Sequence, residues 1–228
     1  MSFLNDFFSL IYPNVCMACG KPLFQYENCV CSICLHHLPQ TDFHLYIDNP
    51  VARLFWGKVH INSAASFLYF NKGGKVQHLI HQLKYKNQKQ VGTFLGALYG
   101  TYLKNSQFFN SIDIIVPVPL HPKKQRQRGY NQSDFFAMGL AESMNIFVDK
   151  TTLHRTYASE SQTKKNRYNR YQNVCSIFGI KDIITLSGKH VLLVDDVITT
   201  GSTIESCVST LQHIPDIKIS VASIAIAN

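Results

Sequence analysis

The run Val191-Leu192-Leu193-Val194-Asp195-Asp196-Val197-Ile198-Thr199-Thr200-Gly201-Ser202-Thr203 constrains the fold of this chain more than any other stretch. Four apolar residues bounded by polar ones predict a buried strand over residues 191–194 that ends in two carboxylates, and residues 199–203 predict a turn into a helix beginning near Ile204. A turn of this kind is an anion cradle. The first N–H groups of a helix lack intrahelical acceptors and carry the positive end of its dipole. Gly201 permits close backbone approach, and Thr199, Thr200, Ser202 and Thr203 add hydroxyl donors, so a phosphate monoester fits. Carboxylates repel phosphate, and Asp195 and Asp196 are therefore expected to reach what lies beside it, either sugar hydroxyls or a magnesium ion. Ribose 5-phosphate meets both demands. An ordinary buried strand before a well-started helix accounts for each half of the run but not for its whole order.

The 228 residues, 46% of them hydrophobic, are enough for one domain of moderate size with an accessory piece. No apolar stretch reaches the length that spans a bilayer, and the N-terminus carries Asp6 with no basic region before its apolar residues, so a cytoplasmic protein without membrane insertion is expected. The formal charge of +8 is unevenly placed. Between Asp48 and Asp113 there is no acidic residue, whereas Lys72, Lys75, Lys84, Lys86, Lys89 and Lys104 fall inside, and a second basic region runs from Lys123 to Arg170. Such asymmetry suits polyanionic partners, a pyrophosphorylated sugar or nucleic acid, as well as a generally basic surface.

Five of the seven cysteines lie between Cys16 and Cys34. Cys16-x2-Cys19 and Cys31-x2-Cys34 are two tight pairs with the spacing of a tetrahedral zinc site, closed and therefore structural. Cys29, His36 and His37 stand close enough in sequence to replace a ligand, and the symmetrical pairs favour Cys16, Cys19, Cys31 and Cys34. Cys175 and Cys207 read as buried thiols.

Residues 1–40 are expected to form a zinc-binding module, with Phe3, Leu4, Phe7, Phe8 and Leu10 on a short amphipathic helix, and residues 41–228 the main domain. Residues 41–58 read as irregular. A strand ending at Phe70 precedes helices over residues 75–84 and 90–103, the first with Val76, Leu79, Ile80 and Leu83 on one face. A strand over residues 113–119 stops at its prolines, a helix follows over residues 131–143, and the chain ends with a helix over residues 204–212 and a strand over residues 217–227. This alternation predicts an α/β fold, a mostly parallel sheet with helices on both faces, whose ligands collect at the C-terminal strand ends.

Pro117, Val118 and Pro119 end one such strand, and cationic side chains follow through Arg128, as a diphosphate would require. Individually, Lys123, Lys124 and Arg126 read as a solvated basic turn. Arg128, beside Gly129 and Asn131, has the stronger positional case. Lys84 closes a helix, where a lysine is favoured with or without a ligand. The polar stretch over residues 156–173, with Arg155 just before it and Lys164, Arg167, Tyr168 and Arg170 inside, reads equally as a lid over a charged substrate or as a strip for single-stranded nucleic acid.

The run at residues 191–203 resembles the phosphoribosyl pyrophosphate (PRPP) signature of type I phosphoribosyltransferases. The resemblance implies that Thr199, Thr200, Gly201, Ser202 and Thr203 hold the 5-phosphate, that Asp195 and Asp196 hold the ribose with its magnesium, and that Pro117, Val118 and Pro119 turn backbone amides towards pyrophosphate, often through a cis peptide. Two Cys-x2-Cys turns, Leu83-Lys84-Tyr85, Ile115-Val116-Pro117-Val118-Pro119-Leu120-His121, Arg128-Gly129-Tyr130-Asn131-Gln132 and the PRPP run occur in the order found in the ComF family of competence-associated proteins. This second resemblance covers almost the whole chain. It implies a phosphoribosyltransferase-type fold with an N-terminal zinc module, PRPP binding, and a link to DNA uptake in natural transformation, with single-stranded DNA and competence-machinery proteins as partners. Transfer of ribose 5-phosphate from PRPP to a base or amine is the alternative function. With Ser2 after Met1 and no glutaminase domain, glutamine-dependent amidotransfer is not expected.

Overall fold

The computed structural model describes residues 14–156 and 177–227. In chain order its elements are α1 (Ser32–His36), a 3-10 turn (Phe43–Leu45), α2 (Pro50–Arg53), β1 (Ser63–Phe70), α3 (Lys75–Tyr85) and α4 (Gln90–Lys104). There follow β2 (Ile114–Pro117), α5 (Pro122–Arg128), α6 (Gln132–Met144), β3 (Phe147–Val148), β4 (Leu153–Arg155), β5 (Phe178–Ile180), β6 (His190–Ile198), α7 (Ser202–Leu211) and β7 (Lys218–Ala227). The helix expected around Phe3 to Leu10, Cys175, and Lys164 and Arg167 of the polar stretch lie outside the described residues.

Five strands form one parallel sheet in the order β1-β7-β6-β2-β3, as the alternation of strand and helix predicts. Residues 191–194 of β6 are fully buried because both faces of a parallel sheet are covered by helices. The connections β2–α6–β3 and β6–α7–β7 step outwards from the centre in opposite directions, so right-handed crossovers put α6 and α7 on opposite faces. The strand order thus reverses between β6 and β2, the place where sheets of this kind open a crevice at their C-terminal ends.

Several boundaries move for identifiable reasons. β6 does not stop at Val194: it pairs with β7 as far as Ile198 and Ile226, whereas its pairing with β2 ends at Val194 and Pro117. Asp195 and Asp196 are therefore strand residues with β7 on one side and the open crevice on the other. β2 ends where expected, because Pro117 and Pro119 have no N–H to continue the ladder, and the last rung is Val118 N–H to Val194 O at 2.8 Å. The basic turn after it is a helix, α5, with Pro122 at its first position, the His121 imidazole accepting from the Lys123 N–H at 3.1 Å, and Gly129 at φ 79° closing it. Proline at the start and glycine past the end are the usual helix punctuation, but an all-polar helix has no apolar period to reveal it. Likewise the segment expected to be irregular contains the 3-10 turn and α2. Asn49 organises it, capping Val51 and Ala52 while its Nδ2 donates to Tyr46 O and Ala64 O, each at 2.8 Å. The hairpin of β4 and β5 was not expected from sequence. All described peptide bonds are trans, unlike the loop that the resemblance implied.

The N-terminal segment packs directly onto the sheet domain. Thr41 N–H donates to Phe67 O and Tyr69 N–H to Pro39 O, and Val30, Cys34 and Leu38 belong to the same apolar core as the sheet. On the far side, α4 and α6 touch backbone to backbone: a Cβ on Gly139 would lie 2.1 Å from Thr93 O, and one on Gly96 would lie 2.3 Å from Phe136 O. This contact fixes the start of α6, and with it Ser133, against β6.

Candidate functional site

A cleft of about 200 Å³ opens at the C-terminal ends of β6 and β2. It brings together Lys84, Val118, Pro119, Arg128, Arg155, Asp195, Asp196 and Thr203, which the sequence supplies from six separate segments. Pro117 is the buried last residue of β2 and does not line the cleft. Thr199, Thr200 and Ser202 are exposed on the turn that leads from β6 into α7.

That turn has the features an anion cradle needs. α7 starts at Ser202, two residues before the expected position; its N-cap, Gly201, has no side chain to offer, and the Ser202 N–H makes a long contact of 3.5 Å to the Thr200 hydroxyl. The Thr200 and Ser202 hydroxyls are 2.9 Å apart. Gly201 has φ 79°, a conformation that costs any residue with a Cβ roughly 1–2 kcal/mol. A Cβ there would also meet the Phe55 ring at 3.0 Å, so the glycine answers both a backbone and a packing requirement.

The two carboxylates have different partners. Asp196 is buried and its Oδ2 holds the Lys84 ammonium at 3.0 Å, so the end of α3 is tied to the strand end. Asp195 Oδ1 accepts from the Ser133 hydroxyl at 2.9 Å and from the Asp196 N–H at 2.8 Å. Desolvation, followed by the neighbouring Asp196 charge, pushes the Asp195 carboxyl up to about 7, while those two hydrogen bonds and Lys84 pull the other way. Ser133 went unnoticed in the sequence. Its only signal was its place immediately after the Asn131-Gln132 pair that begins α6.

On the β2 side, Asn131 Nδ2 donates to Val118 O at 3.0 Å and to Asp134 Oδ1 at 2.8 Å, which holds the loop after β2 against α6. Arg128 Nη1 donates to Gln132 Oε1 at 2.6 Å, and its guanidinium lies over the Tyr85 ring at 5.3 Å. The Tyr130 hydroxyl donates to Leu83 O and so joins this loop to the end of α3 beside Lys84. Lys123, Lys124 and Arg126 are exposed on α5. Arg155 reaches the cleft from the hairpin of β4 and β5.

The second constellation is the cysteine cluster. The Sγ atoms of Cys16, Cys19, Cys31 and Cys34 all lie within 4.8 Å of one another, and those of Cys19 and Cys31 are 3.9 Å apart. Tetrahedral zinc with Zn–S bonds of about 2.3 Å sets its sulfurs roughly 3.8 Å apart, so the four thiols fit such an ion. The Cys31 N–H points at Cys16 Sγ, 3.3 Å away, as a donor to a thiolate would. Cys29, His36 and His37 are outside the cluster, and His37 Nδ1 is instead 2.7 Å from Ile33 O.

The phosphoribosyl transferase domain family matches residues 133–225, the part that carries α6, β6 and the cradle. The DNA utilization protein YhgH of Escherichia coli K12 is 27% identical over 215 residues, 86% of this chain and 89% of that protein. Competence protein F of Haemophilus influenzae is 30% identical over 154 residues, 64% of this chain and 66% of that protein, and competence protein ComFC of Bacillus subtilis is 32% identical over 93 residues, 40% of this chain and 35% of that protein. These relatives, the matched domain and the four-cysteine cluster agree. The chain belongs to the ComF family. Among solved structures, an adenine phosphoribosyltransferase aligns at a TM-score of 0.40 and 14% identity over 66% of the ComF chain and 74% of its own. No described helix of this ComF protein is long and apolar enough to cross a membrane.

Proposed function

We propose that this protein binds PRPP in the cleft at the ends of β6 and β2 and serves DNA uptake as a phosphoribosyltransferase-type ComF protein. One observation carries the reading: a helix N-terminus opened by Gly201 at positive φ adjoins two carboxylates at the strand-order reversal of a parallel sheet. Thr199, Thr200, Gly201, Ser202 and Thr203 take the 5-phosphate, Asp195 and Asp196 the ribose hydroxyls, and the backbone of Pro117, Val118 and Pro119 with Lys84 and Arg128 the diphosphate. Asp196 already holds one cation, the Lys84 ammonium, and the pair of hard oxygen donors suits magnesium, which is commonly bound by one or two carboxylates plus substrate phosphates. Bound magnesium would supply positive charge to the phosphoryl oxygens. Zinc on Cys16, Cys19, Cys31 and Cys34 would fasten the module of residues 1–40 to the domain of residues 41–228.

The single-stranded DNA partner is supported by exposed Lys123, Lys124 and Arg126 on α5, by exposed Tyr85 next to Arg128, and by the names of the relatives. The protein would act in the cytoplasm.

Magnesium–PRPP is expected to raise the thermal midpoint of the wild type and to bind in calorimetry, and Asp195→Ala is expected to weaken that binding. If PRPP leaves the wild type unmoved in both measurements, the cleft is not a PRPP site. Single-stranded DNA affinity should fall steeply with salt, because binding releases counterions. Pyrophosphate release in a screen of bases and amines separates binding alone from transfer.

A further inference from the structure

Arg155 is in an unusual position for a permanently charged side chain. It is the last residue of β4, directly across from Phe178 of β5, and it lines the cleft with Asp195, Asp196 and Thr203. Its guanidinium carbon lies 4.9 Å from the centre of the Phe178 ring. Its Nε is shielded from solvent and has no hydrogen-bond partner. No described carboxylate comes within ion-pair distance of it, the described pairs being Arg53–Asp48, Lys58–Glu205 and Lys84–Asp196. Among the described residues, the guanidinium has no carboxylate partner and its Nε–H has no acceptor. The ring offsets part of the cost through its face, but an Nε–H projects in the guanidinium plane and needs an acceptor there. A polar N–H shielded from water and left without an acceptor is costly. The fold nonetheless holds it in place, since β5 packs against α7 and the hairpin registers Arg155 onto Phe178. The buried Cys207 thiol of α7 feels the charges of both Asp195 and Arg155, which act on it in opposite directions.

We propose that Arg155 is a second oxyanion anchor of this cleft, separate from the turn of residues 199–203, and that its Nε takes a phosphoryl or carboxylate oxygen of a bound ligand. This inference rests on the PRPP-site reading and deepens it. Arg is suited to the task because its flat donor set matches such oxygens, and because stacking on Phe178 fixes its plane before the ligand arrives. Two sources offer the oxygen: the diphosphate of PRPP, or an acceptor that carries its own carboxylate. In the second case the residue selects acidic acceptors.

The test uses the full chain and compares wild type with Arg155→Gln and Arg155→Lys. The lysine variant keeps the charge and the aliphatic stem but lacks the Nε–H. Ribose 5-phosphate, magnesium–PRPP and magnesium–pyrophosphate are titrated in turn, then nicotinate and anthranilate with PRPP present. Ribose 5-phosphate should bind all three proteins alike. If the oxygen is the diphosphate's, PRPP and pyrophosphate should each bind roughly 10- to 100-fold more weakly to both variants, the size expected for one charged hydrogen bond. If it is the acceptor's, PRPP affinity should hold and binding of the aromatic carboxylates should be lost. The ligand-free melting temperature should stay level or rise in Arg155→Gln, because a shielded N–H without an acceptor has been removed. Unchanged affinities for every anion in both variants overturn the proposal, and a fall in melting temperature with unchanged affinities assigns Arg155 to the framework instead. Failure of the wild type to bind either ribose 5-phosphate or PRPP overturns the PRPP-site reading itself, an outcome distinct from both.

Discussion

Asp195 and Asp196 show how far neighbouring side chains of one type can be driven apart by their surroundings. Asp196 is paired with the Lys84 ammonium, while among the described residues Asp195 accepts from neutral donors, the Ser133 hydroxyl and a backbone N–H. Burial and the adjacent charge raise its pKa from the ordinary 3.8 to about 7. Between those values the folded protein keeps a proton on Asp195 that the unfolded chain has already lost, so folding stability falls as pH rises through this window. Asp195→Asn, neutral at every pH, should flatten the decline of the melting temperature between pH 4 and pH 7. A variant whose midpoint still falls as steeply as the wild type's would show that Asp195 ionises freely in the fold. The doubled aspartate was plain in the sequence. The difference between the two was not, because it depends on Ser133 and Lys84, which lie 62 residues and about a hundred residues away along the chain.

At the scale of the element, the site depends on how α4 and α6 meet. Gly96 and Gly139 let the two backbones come so close that no side chain fits between them, and this seats the first turn of α6 with Asn131 and Ser133 at the cleft. Gly139→Ala should therefore destabilise the protein by about 3 kcal/mol or more, the upper range for overpacking, since the new methyl would meet Thr93 O and Ala97 N rather than a flexible side chain. Denaturant unfolding checks this, and a loss below about 1 kcal/mol would mean that the helices separate easily. The strands β1, β2, β6 and β7 and the helices α3, α4, α6 and α7 were readable from their apolar patterns. α5 and α2 were not, since a seven-residue polar helix and a four-residue helix held by Asn49 contain too little apolar pattern to count. The length of β6 also escaped the sequence: pairing with β7 keeps Asp195 to Ile198 extended, and nothing local in those residues requires it.

At the scale of the whole molecule, the cysteine cluster and the sheet share one core, with Cys16, Val30, Cys34 and Leu38 buried alongside the residues under β1. Loss of the metal should therefore be felt beyond the module. The purified protein is expected to carry one zinc, and Cys16→Ser with Cys19→Ser should lose it and lower the melting temperature of the whole chain. Metal analysis and calorimetry on the same samples check both. Unchanged zinc content in the double variant would reject this ligand set, and an unchanged melting temperature would show that the module stands apart energetically.

The sequence by itself determined the elements of chemistry: the cradle turn, the paired carboxylates, the four zinc-spaced cysteines, and the alternation that builds a parallel sheet. These are local patterns, set by spacing and by the conformational limits of glycine and proline. Only the tertiary structure decided which of them work together. Reversal of strand order between β6 and β2 opens the cleft, the α4–α6 contact delivers Ser133, and the hairpin delivers Arg155. Such arrangements depend on strand pairing and helix packing between segments far apart in the chain, and no short run of residues encodes them.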